Sequence, residues 1–151
     1  MTTLTRFLVT VVAALMLGAT TLATAGRGSG RHTEMLPPGI TEVDVRSSNG
    51  VSRHVTDLAR VAKIVRWFDA LPIAPSAHYY CPMIRYRPPT TFAFRAASGA
   101  RLAFARTPGT AACGGSFDLT IQGHVRKPVL VGHFLVRVGR LLGMHLIPNY
   151  R

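Results

Sequence analysis

Acidic side chains are scarce in this chain. Six Asp and Glu stand against eighteen Lys and Arg in 151 residues, a net charge of +12. Glu34 falls in a Gly-, Ser- and Pro-rich stretch. That leaves Glu42, Asp44, Asp57, Asp69 and Asp118 for any mechanism built on paired carboxylates. Asp57 stands where a helix begins, Asp69 on its solvated side, Glu42 and Asp44 on the polar side of an alternating stretch, and Asp118 between Phe117 and Leu119. Each has a structural use, and no spacing prepares the facing carboxylates of a glycosidase. Other chemistry is missing as well. His124, His133 and His145 are nine and twelve residues apart, without a His-Glu-x-x-His or a tight pair, so we read no metal site. No Gly-x-Ser-x-Gly or Ser-x-x-Lys marks a nucleophile. Gly26, Gly28 and Gly30 lead into neither strand nor helix, so no phosphate-cradling loop and no cofactor are expected. There is no repeat and no heptad run.

Charge is also missing from the start of the chain. Arg6 is the only charge before position 27, and an apolar run from Phe7 to Ala19 follows, then Leu22-Ala23-Thr24-Ala25-Gly26. A positive start, a short apolar stretch and small residues at Ala23 and Ala25 form a secretory signal, with cleavage expected after Ala25. The run is shorter than the ~20 residues of a bilayer span, so no stable membrane span is expected after cleavage. We therefore expect a signal peptide at 1–25, a flexible lead at 26–39 around Pro37 and Pro38, and a single domain at 40–151. The exported chain would keep a net charge of +11, seventeen basic residues against six acids once Arg6 is removed. Such a domain is drawn to anionic surfaces, whether envelope polymers, acidic lipids or extracellular nucleic acid, with no specific nucleic acid implied.

Cysteine is limited to Cys81 and Cys113. In an exported protein an even pair reads most simply as one disulfide. It would close a loop of about 33 residues, worth roughly 3–4 kcal/mol in chain entropy.

What the chain does contain is alternation and one strong helical stripe. Glu42–Arg46 alternates as a strand with Val43 and Val45 on one side, and Ser47-Ser48-Asn49-Gly50 is a turn. Thr56 is placed to cap a helix over Asp57–Leu71, with Leu58, Val61, Ala62, Val65 and Phe68 in one stripe and Ile64 alongside, ended by Pro72. A short edge strand fits Met83–Arg87. Thr91–Ala96 and Arg101–Arg106 read as a hairpin in which Phe92 and Phe94 face Leu102 and Phe104. Ser116–Ile121 is a further strand, and Gln122-Gly123 breaks it. A second helix runs about Gly132–Leu142 with Gly143 as a left-handed cap, and Met144–Ile147 returns as a strand. Sequential strands give an α+β fold: an antiparallel sheet of about four to five strands with two helices packed on one face.

On that layout Arg85, Arg87, Arg95 and Arg101 lie on the sheet face away from the core, flanked by Tyr79, Tyr80 and Tyr86. Cations beside aromatic rings suit a polyanion or acidic sugars. We expect a disulfide-stapled, non-catalytic binding module for an anionic envelope or extracellular partner. Two other classes stay open. One is a hydrolase assembled from dispersed His, Asp and Ser residues; the other is an inhibitor-like protein-binding module using the loop Pro72–Pro82.

From about Val55 to Leu146 the chain resembles a loose group of small exported actinobacterial proteins of unknown function. The resemblance lies in Ala62-Lys63-Ile64-Val65-Arg66-Trp67-Phe68 running into Ala70-Leu71-Pro72, then Tyr80-Cys81-Pro82, Phe-rich strands, a second Cys near Gly114, and Leu141-Leu142-Gly143. It implies secretion and a single disulfide, and it brings no activity, substrate or catalytic residue.

Overall fold

The computed structural model describes residues 33–75, 88–108 and 115–146. Its longest helix, α1 (Leu58–Asp69), is capped by Asp57, one residue after the expected Thr56. The Asp57 carboxylate accepts the Arg60 N–H at 2.8 Å, satisfying one of the donors that a first turn leaves without a partner. The helix stops at Asp69 with Ala70 as its cap, just ahead of Leu71 and Pro72.

Among the described residues seven strands surround it in sequence: β1 (Glu42–Arg46), β2 (Ser52–Val55), β3 (Thr91–Arg95), β4 (Arg101–Arg106), β5 (Ser116–Ile121), β6 (His124–Val125) and β7 (Val129–Leu130), before helix α2 (Phe134–Leu142). They form one antiparallel sheet in the order β2-β1-β3-β4-β5-β6, with β7 paired to β5. The fold is α+β with an antiparallel sheet. The strand count exceeds the expected four to five because β2, β6 and β7 are too short to show alternation. The return strand expected from Met144 is absent over the described residues 144–146. Met144 and Leu146 are buried instead, and Gly139 of α2 lets them in: a Cβ there would stand 2.7 Å from the Met144 carbonyl oxygen. Gly143 does take the left-handed cap, with φ 63° and ψ 33°.

The inner sheet face is lined by Val43, Val45, Phe92, Phe94, Ala103, Ala105, Phe117, Leu119 and Ile121, all buried. Phe68 of α1 meets Phe94 and Phe117 at centroid distances of 5.3 and 5.6 Å, and Phe134 of α2 meets Phe92 and Phe117 at 5.1 and 5.6 Å. Phe68 and Phe134 also touch each other edge to face at 5.5 Å. Tilted and edge-on pairs of this kind add to the gain from burial alone.

Two expectations about facing change. In β4 the residues opposite Phe92 and Phe94 are Ala105 and Ala103, so Leu102 and Phe104 point to the outer face. Small alanines there leave room for the ring cluster. In α1 the buried side is Val61, Ile64 and Phe68, while Leu58 is 65% exposed and Ala62 is exposed, so the stripe is rotated toward Ile64.

Residues 33–39, expected to be loose, are held on the domain. Thr33 bridges Pro72, Leu36 is buried, and the Leu36 N–H donates to Asp69 Oδ1 at 2.8 Å. Burial pushes the Asp69 carboxyl above its ordinary value, and the Leu36 bond pulls it partly back. The strap and α1 border an apolar groove of about 520 Å³ lined by Met35, Pro37, Leu58 and Val65 among others.

Candidate functional site

Because side chains alternate along a strand, the residues between the buried ones build the outer sheet face. Strand registers arrange them in rows. One row crosses the sheet as His54, Asp44, Ala93, Phe104, Thr120 and Val125. A second runs Ser52, Arg46, Thr91, Arg106 and Asp118.

Arg95 and Arg101 sit at one end of this face. The β3–β4 register shifts between Phe94 and Arg95, so Phe94 pairs with Ala103 while Arg95 pairs with Arg101. The extra residue in β4 is what brings Arg101 across from Arg95, since simple alternation would put it with Ala103 on the buried side. Arg95 is tied down. Its Nε donates to Asp44 Oδ2 at 2.6 Å and its Nη1 donates to the Gly99 carbonyl at 2.8 Å. Arg101 extends its guanidinium over Phe104, 5.2 Å from the ring centroid. Arg85, Arg87, Tyr79, Tyr80 and Tyr86 lie outside the described residues, as do Cys81 and Cys113.

Asp44 is the hub of a charged cluster. Besides Arg95 it meets His54 Nδ1 at 2.6 Å, and His54 Nε2 stands 3.8 Å from Glu42 Oε2. Burial raises the Asp44 carboxyl, but hydrogen bonds from Arg95 and His54 and their charges outweigh it, leaving the group below its ordinary value. An ionised carboxylate only accepts, so the His54 proton on this contact sits on Nδ1. A His held through Nδ1 by an Asp is half of a nucleophile-activating arrangement. Here the other ring nitrogen faces the Glu42 carboxylate, not a hydroxyl or thiol. What the cluster does is fasten edge strand β2 to β1 and β3.

The far half of the face differs. Arg106 Nε donates to Asp118 at 3.3 Å across β4 and β5, both side chains more than half exposed. Beyond it come half-buried Leu102 and Phe104, then Thr120 and exposed Val125. Elsewhere a depression of about 350 Å³ is lined by Arg53, His54, Thr56 and Arg60 at the start of α1. Among the described residues no group of His, Cys, Asp and Glu is placed to hold a metal ion.

The histidines considered from spacing are dispersed. His124 pairs with Ile121 in β6, while Asp118 faces the opposite side of β5. His133 precedes α2, and the His145 carbonyl accepts the buried Ser47 hydroxyl at 2.9 Å. His54 and Val125 escaped sequence reasoning. The signal was there in the two turns: Ser-Ser-Asn-Gly after β1 and Gln-Gly after β5 each announce a partner strand immediately beyond.

Fold and cluster together define an α+β domain whose antiparallel sheet carries a charged, partly apolar outer face. No protein-family model, curated protein or solved structure matches the chain. No described helix is long and apolar enough to cross a membrane.

Proposed function

We propose that this chain is an exported, disulfide-stapled binding module for an anionic partner, with α1 and α2 covering one face of the sheet and the opposite face turned outward. The observation that supports it most is how the acids are used. Asp57 caps α1, Asp69 holds Leu36, Asp44 binds Arg95 and His54, Asp118 meets Arg106, and Glu42 stands beside His54. Five of the six acids are thus engaged within the domain, and the net charge of +11 that remains once Arg6 is removed is left to act outward. A surface with such an excess raises both the encounter rate and the affinity for polyanions, and both fall as salt screens them.

The test is binding to an anionic polymer such as polyphosphate across a salt series. Affinity should fall steeply and log-linearly with salt, as counterion release requires. Salt-independent binding, or none, would overturn the proposal. Export is tested separately by N-terminal sequencing of secreted material, which should begin at Gly26. Mass spectrometry of the same material should show Cys81 and Cys113 without free thiols.

A further inference from the structure

We infer that the tip of the β5–β6 hairpin docks on an anionic lipid surface, inserting Val125 among the headgroups; this rests on the anionic-partner reading above and names the partner. Val125 is 86% exposed, more than any other large apolar residue described. A single exposed valine is ordinary on a protein surface, so its setting decides. The hairpin holds it in place. Gln122 and Gly123 both have positive φ, 49° and 82°, the geometry that joins two strands through two residues without splaying them. Gly123 reaches it freely, whereas Gln122 takes it against the preference of a residue with a Cβ. Behind the turn Thr120 pairs with Val125, and one step further along the same two strands the Arg126 N–H donates to the Leu119 carbonyl at 2.8 Å.

The charge around the tip is of one sign. Arg126 and Lys127 are exposed, and the acid on that face, Asp118 one row back on β5, is met by Arg106. Behind the tip the same row continues into Thr120 and Phe104, with the Arg101 guanidinium lying over the ring. The surface therefore offers a protruding apolar side chain, an aromatic ring behind it, and cations around both. A soluble polyanion would engage the cations and give Val125 no reason to leave water. A membrane interface supplies an apolar phase and negative headgroups together.

The experiment uses the full chain with Val125→Trp and vesicles of phosphatidylglycerol or of phosphatidylcholine, each carrying brominated acyl chains that quench tryptophan on contact. Trp67, measured in the parent chain, sets the background. The apolar run Phe7–Ala19 is common to every variant, so the readout is quenching specific to position 125. Strong quenching on phosphatidylglycerol above that background, and little on phosphatidylcholine, is expected. Leu58→Trp, on the exposed side of α1, should not be quenched. Adding Arg126→Gln and Lys127→Gln to Val125→Trp should raise the lipid concentration for half-quenching about thirtyfold, at about fivefold per lost cation. All these positions are solvent-exposed, so the core is untouched. Bound protein with no quenching at position 125, or equal quenching at 58, would overturn the inference. Binding to polyphosphate without binding to phosphatidylglycerol would overturn it and leave the broader function standing. Binding to neither would overturn both.

Discussion

On the β2–β1–β3 half of the outer face, Asp44 gathers His54 and Arg95, with Glu42 close by, and each strand is tied to its neighbour through side chains. On the β4–β5–β6 half, Leu102, Phe104, Thr120 and Val125 face outward, and the one acid, Asp118, meets Arg106 through an exposed contact. Alternation alone makes the two halves look alike. The difference is the acid. An arginine beside a partly buried carboxylate becomes a strut, whereas one beside a phenylalanine keeps its charge for something else. Counting arginines on a face thus overstates the charge that a partner meets.

The comparison breaks outright if the shared floor is removed. Phe68→Ala takes a ring from under both halves and should cost about 3–5 kcal/mol of stability in denaturant unfolding. An effect below 1 kcal/mol would mean that the ring cluster is not the common support.

A smaller change separates the halves. Asp44→Ala should cost about 1–2 kcal/mol, discounted for the solvent that reaches the cluster. It should speed amide exchange in β2 while leaving β5 and β6 protected. Uniform acceleration across the sheet would show that the two halves do not behave independently.

Acid titration sharpens the same point. Asp44 is depressed in the folded state, so its contribution is present above the ordinary carboxylate value of 3.8 and lost as pH falls through its lower folded value. Asp69 is raised, so its contribution is present below 3.8 and lost as pH rises through its higher folded value. Unfolding midpoints followed from about pH 3 to pH 6 should therefore respond in opposite senses. Asp44→Asn flattens the loss on the acid side. Asp69→Asn keeps an acceptor for Leu36 and removes the decline on the rising side. Identical profiles for the two variants would contradict the assignment.

The smallest stability effect belongs to the open half. Arg101→Gln should change stability by no more than about 0.5 kcal/mol, because the contact with Phe104 is exposed. Its effect should appear in salt-dependent binding to polyanions instead. A larger loss of stability would make Arg101 a strut like Arg95.

How much of this was legible follows from element length. α1, β1, β3, β4 and β5 are long enough for periodicity to place them within a residue or two, and Gly143 announced its own cap. β2, with Ser52, Arg53 and His54, has no apolar alternation, so the strand that carries His54 was invisible except through the turn before it. The facing of β4 was misjudged because Leu102 and Phe104 are larger than Ala103 and Ala105. Size suggested burial, but space beside five phenylalanines favoured the alanines. Arg101 joined Arg95 through an irregularity in register, which no parity rule contains. Asp44 was visible as a residue on a polar face, yet its role depends on a partner 51 positions away.

Phe134 has a consequence in time. It contacts Phe68, Phe92 and Phe117, and it comes after the other rings of the cluster in sequence. A ribosome makes the other rings first, and until α2 is finished they lack the lid that keeps them from water or from one another's wrong neighbours. The domain therefore completes its core only after the last of the five rings has been made. Four phenylalanines must stay clear of wrong partners until the fifth arrives.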